Sequence, residues 1–135
     1  MKIELAKAWL EASYSDLAVI KEIIHIDYLS NMVAFHSQQS IEKSFKSILE
    51  YFDKKVPKKH NLNALYELIK DNVPLYDTDI LEELNELYID SRYPNSFALM
   101  PHGKPTLNDA KRYYEFADEI FNRVSEYLDI KTDFN

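Results

Sequence analysis

The chain has 135 residues, 46% of them hydrophobic, with 16 basic against 23 acidic residues, a net charge of −7, no cysteine and one glycine. No cysteine excludes disulfides, zinc ribbons and iron–sulfur clusters, and a single glycine excludes the P-loop and the GxGxxG dinucleotide fingerprint, which need at least two, and argues against a hairpin-rich β fold. The acidic balance removes general attraction to a phosphate backbone, so any contact with nucleic acid must be local.

Apolar residues at three- and four-residue steps, Ile3, Ala6, Leu10, Leu17, Ile20 and Ile24, predict a first helix over about 3–25, with Ser13 the one polar interruption of the stripe. After a short link at Asp27 to Ser30, a second stripe of Ala34, Ile41, Phe45, Ile48 and Phe52 predicts a helix to about Asp53. Two long helices joined by a short link form an antiparallel hairpin, each spanning about 33 to 37 Å at 1.5 Å per residue. Pro57 closes the second helix, and Asn61 is the expected N-cap of a third carrying Leu62, Leu65, Leu68, Ile69 and Val73, stopped by Pro74. A fourth starts near Asp77 or Thr78 and ends by Tyr93, because Pro94 disfavours helical geometry in the residue before it.

The segment Pro94 to Pro105 holds three further positions unfit for regular helix, Pro101, Gly103 and Pro105, and reads as the longest loop. Thr106 and Asp109 then resemble a capping box, opening a last helix along Leu107, Ala110, Tyr113, Ala117, Ile120, Val124 and Tyr127. The expected fold is all-α, an up-and-down bundle of four to five helices with the two long N-terminal helices as its spine. One domain fills 1–128, and 129–135 is expected to fray. No stretch approaches the ~18 uncharged residues of a membrane span, so a soluble, cytoplasmic protein is expected.

Several polar residues stand where they need partners. Gln38 and Glu42 share a ridge of the second helix with Phe35, Phe45, Leu49 and Phe52; they either satisfy a helix terminus, a His or an Arg, or form a site. His36, Gln39, Lys43 and Lys46 lie on another, wholly polar face that reads as solvated or partner-facing. The run Lys54-Lys55-Val56-Pro57-Lys58-Lys59-His60 is the only dense basic segment, either a solvated loop or a phosphate-contacting patch. The four histidines show no HxxxH or HxH spacing, so no metal site is expected, and no cofactor is implied. Arg92 is either a ligand of helix carbonyls or a planar phosphate clamp, and His102, beyond it in the long loop, is a candidate general acid or base.

The run Phe35-His36-Ser37-Gln38-Gln39-Ser40-Ile41-Glu42-Lys43-Ser44-Phe45-Lys46, followed by Pro57-Lys58-Lys59-His60-Asn61-Leu62 and by Arg92-Tyr93-Pro94, resembles the HEPN family, small helical domains often linked to minimal nucleotidyltransferases. The resemblance implies a helical bundle that forms a homodimer, partners a minimal nucleotidyltransferase as in toxin–antitoxin pairs, and binds nucleotide or RNA. Gln38, Glu42, Lys43, His60, Arg92 and Tyr93 are the expected ligands. The alternative it implies is a metal-independent endoribonuclease using Arg92 and His102 across a dimer cleft. In that family pattern four to six residues separate the Arg from the His; here there are nine, 93 to 101. A tyrosine two residues after the His, a nucleotidylation target in paired systems, is replaced here by Lys104.

Overall fold

The computed structural model describes residues 2–58, 60–91 and 104–132. Within them it is all-helical: α1 (Ile3–Ile23), a 3-10 turn (Asp27–Leu29), α2 (Ser30–Tyr51), α3 (Leu62–Ile69), α4 (Asp79–Ser91) and α5 (Leu107–Leu128). The candidates Arg92, Tyr93 and His102, and most of the long loop, lie outside the described residues.

α1 and α2 form the expected antiparallel pair. Ala6, Leu10, Ser13, Leu17 and Ile20 are buried at alternating four- and three-residue steps, and Ser37, Ser40, Ser44 and Ser47 are buried at matching steps on α2. Serine is small enough to let two backbones approach closely, and three of these four hydroxyls find a partner while the buried Ser37 Oγ finds none among the described residues. Ser13 Oγ lies 2.9 Å from the Ser40 carbonyl, which accepts from it, 2.8 Å from Ser40 Oγ and 2.9 Å from Ser44 Oγ. Ser47 donates to the Ala6 carbonyl at 2.8 Å. The polar interruption of the α1 stripe is therefore the middle of a serine seam.

The other side of α2 carries Ala34, Ile41, Phe45, Ile48 and Leu49 into a core shared with α3, α4 and α5, so α2 is the axis on which the other helices pack. Each fully buried Leu, Ile or Phe there is worth about 1.5–3 kcal/mol relative to exposure. At one end of α2 Ser30 donates to the Pro105 carbonyl at 2.6 Å, and at the other the Phe52 ring meets Tyr127 at 6.3 Å, so α5 runs alongside α2 in the same direction. The Asn61 side chain accepts from Ala64 N–H at 2.9 Å, as an N-cap should. Thr106 and Asp109 form a complete capping box, with bonds of 3.0 and 3.1 Å.

Three expectations change. α3 ends at Ile69 rather than near Val73: Tyr66 Oη donates to the Val73 carbonyl at 3.0 Å and accepts from Leu75 N–H at 2.7 Å, folding this stretch back over α3. The polar face of α2 is only partly solvated, as described below. The chain past Leu128 does not fray at once: Asp129 is left-handed, Ile130 N–H reaches the Ser125 carbonyl at 3.1 Å, and Ile130 and Thr132 are buried.

α4 is tied to α5 by Glu83, which accepts from Arg112 at 2.8 Å through both oxygens and from the Tyr113 hydroxyl. Burial first, and the bond to Glu83 second, hold the Tyr113 phenol well above its ordinary value near 10. Above pH 10 the unfolded chain releases this proton while the folded chain keeps it, so this contribution to stability is present below pH 10 and is lost as pH rises beyond it. Urea unfolding at mildly alkaline pH and above pH 10 should therefore show a decline that is shallower in Tyr113→Phe; an equal decline in both proteins would remove this assignment.

Candidate functional site

The site is built around Glu42, whose side chain is only 5% exposed. A carboxylate withdrawn from water in this way needs a counter-charge and donors for its lone pairs. Lys46, one turn on and itself 8% exposed, donates to Oε2 at 2.9 Å. His60 Nδ1 lies 2.9 Å from Oε1, and the Gln38 amide adds a longer contact of 3.4 Å. The Lys46 ammonium also stands 5.5 Å from the Trp9 ring centre, a cation–π position on the α1 side.

Gln38 fixes His60 a second time, because Nε2 donates to the His60 carbonyl at 2.8 Å. The amide is held in turn by Gln39, whose Nε2 donates to Gln38 Oε1 at 2.7 Å. Residue 60 thus has its backbone and its ring both tied to buried polar groups of α2, although its side chain is 53% exposed. An ionised carboxylate only accepts, so Nδ1 carries the hydrogen and Nε2, across the ring, is left as acceptor in the neutral imidazole and donor in the protonated one. Such a pre-oriented group can bind a phosphate oxygen or move a proton.

Aromatic rings flank this corner. The His60 ring lies 5.7 Å from Tyr88 of α4, which stacks on Phe35 at 5.6 Å and 19°. Phe35 in turn meets His36 edge-on at 5.2 Å.

A second carboxylate, Asp16 of α1, takes the remaining polar residues. His36 Nδ1 lies 2.8 Å from its Oδ1, and Lys43 donates to Oδ2 at 2.7 Å, with the Asp16 side chain 10% exposed. The face of His36, Gln39, Lys43 and Lys46 is therefore only partly open to solvent: two of its members clamp α1 and Lys46 is buried. Its polarity by residue type concealed this, because Asp16 and Trp9 come from the preceding helix.

Of the expected ligands, Gln38, Glu42 and His60 are brought together. Lys43 is held in the Asp16 pair on the α1 side, and Arg92, Tyr93 and His102 lie outside the described residues. The residues not foreseen are Lys46, Trp9, Phe35 and Tyr88. The four-residue spacing from Glu42 to Lys46 was the available signal for the first; the packing of α4 on α2 was needed for Tyr88. Among the described residues no group of three or more His, Asp or Glu is placed to hold a metal ion, and no helix is long and apolar enough to cross a membrane.

The comparison with family models matches residues 6–127 to the one described as HEPN domain. No curated protein and no solved structure matches the chain. The matched span takes in both polar clusters, the serine seam and nearly all of α1 and α5, in an all-helical bundle as that fold requires. The chain belongs to the HEPN domain family.

Proposed function

We propose that this protein is the HEPN-domain subunit of a two-component, toxin–antitoxin-like pair, working as a homodimer beside a minimal nucleotidyltransferase and binding nucleotide or RNA at the corner formed by Gln38, Glu42 and His60. Family membership supports a nucleotide- or RNA-related role in general. The observation that carries the choice of site is His60: an exposed imidazole whose Nδ1 and carbonyl are both anchored to buried residues. Orienting a loop histidine in this way lowers the ordering cost of binding to it.

A hydrogen bond to a charged group contributes about 1.5–3 kcal/mol, so His60→Ala should weaken nucleotide or RNA binding about ten- to hundredfold, read by calorimetric titration. Unchanged affinity would remove His60 from the site. The partner is tested by co-expressing any minimal nucleotidyltransferase found in a flanking reading frame and asking for co-purification, and the homodimer by light scattering across micromolar concentrations. Separate elution, or a monomer mass throughout, would each contradict its part of the proposal.

A further inference from the structure

Gln38 is fully buried, and the two ends of its amide meet unlike surroundings. Nε2 faces two groups that only accept, the His60 carbonyl at 2.8 Å and Glu42 Oε1 at 3.4 Å. Oε1 faces Gln39, whose Nε2 donates to it at 2.7 Å. A side-chain amide has nearly the same shape in either orientation, so its hydrogen-bond partners alone select one. Turned over, this amide would set its oxygen against a carbonyl and a carboxylate and leave the His60 carbonyl without its side-chain donor.

Gln39 differs from the groups it serves. It is half-buried, whereas Gln38, Glu42 and Lys46 are buried. Its one hydrogen bond among the described residues goes to Gln38, and it has none to Glu42 or His60. The other polar side chains of its face are committed elsewhere, His36 and Lys43 to Asp16 and Lys46 to Glu42. Gln39 is therefore the donor available to the buried Gln38 oxygen, and nothing else on the page occupies it.

We propose that Gln39 is the positioning residue of the His60 corner: by donating to Gln38 it fixes the direction of the amide that holds the His60 carbonyl. Its effect on binding rests on the reading of that corner as the nucleotide or RNA site; its effect on His60 needs no ligand. Without a donor at position 39 a buried acceptor goes unpaired, and the amide turns or admits water to satisfy it. The backbone tie at residue 60 then loosens, and the imidazole is left oriented by Glu42 alone.

Three substitutions separate donation from shape. Gln39→Met keeps the length and removes the donor, Gln39→Glu offers only acceptors when ionised, and Gln39→Lys offers only donors. The first readout is NMR of the free proteins, following the Gln38 side-chain amide and the His60 Cε1–H signals, with exposed His25 as the reference for an intact fold. The second is affinity for adenosine monophosphate and for a labelled single-stranded RNA dodecamer, with His60→Ala alongside. The Met and Glu variants are expected to move both signals while His25 stays in place, and to weaken binding about two- to tenfold, the worth of one hydrogen bond. The Lys variant is expected to keep the wild-type signals and affinity.

A His60 signal unmoved in the Met variant, or a Lys variant disturbed as much as the Met variant, overturns the proposal. If His60→Ala still weakens binding in that case, the corner reading stands and Gln39 has no part in it. If the Met and Glu variants move His60 while the Lys variant does not, yet neither probe is bound more weakly, the positioning role stands and the corner reading falls.

Discussion

Glu42→Ala is expected to destabilise the fold by about 3–5 kcal/mol, because removing one partner of a buried ion pair leaves the other charged and uncompensated. The stranded group is Lys46, 8% exposed and held between Glu42 and the Trp9 ring. Gln38 and His60 lose an acceptor in the same step. The readout is the urea midpoint at neutral pH, with an unchanged slope showing that compactness is preserved.

The double variant Glu42→Leu, Lys46→Met separates stability from site geometry. Replacing a buried pair by apolar residues of similar volume is often neutral or stabilising by about 1–4 kcal/mol. The double variant should therefore recover most of the loss, yet leave His60 without its Nδ1 partner and binding as weak as in His60→Ala. Full stability together with full binding would show that the Glu42 contact does not orient the imidazole.

Phe45→Ala is expected to cost about 3–5 kcal/mol as well, for a different reason: transfer free energy is lost and a cavity is left where the surroundings cannot collapse. Phe45 has no exposed surface, and its ring lies 5.6 Å from that of Tyr66 on α3. It stands on the helix against which α1, α3, α4 and α5 all pack. Phe52, seven residues on and 38% exposed, supplies the comparison; truncating it should cost well under half as much, since less surface returns to water. Equal midpoints for the two alanine variants would contradict α2 as the axis of the core.

Most of the fold was legible from periodicity and caps. The stripes of α1, α2 and α5 follow three- and four-residue steps, and Asn61 and Thr106 cap the helices they precede. Half of the site was legible too. Gln38 and Glu42 share a ridge with Phe35 and Phe45, so they had to find partners, and His60 supplies them. What escaped reading are contacts between helices far apart in sequence. The serines of α2 are polar by type, yet their small size lets them line a close seam when the facing helix provides the Ala6 carbonyl and a matching Ser13. Lys43 and His36 read as surface because nothing in α2 announces Asp16, some twenty residues upstream. The end of α3 depends on Tyr66 bonding two backbone groups beyond it, which no local propensity encodes.

The contact point proposed for nucleotide or RNA is the anchored His60 imidazole. Two-dimensional proton–carbon NMR tests it by following the Cε1–H signals of the four histidines as nucleotide or a short single-stranded RNA is added. The account predicts that the His60 signal moves in step with saturation, accompanied by the ring signals of Tyr88, while exposed His25 at the end of α1 stays in place. A saturating ligand that leaves His60 unmoved would contradict it.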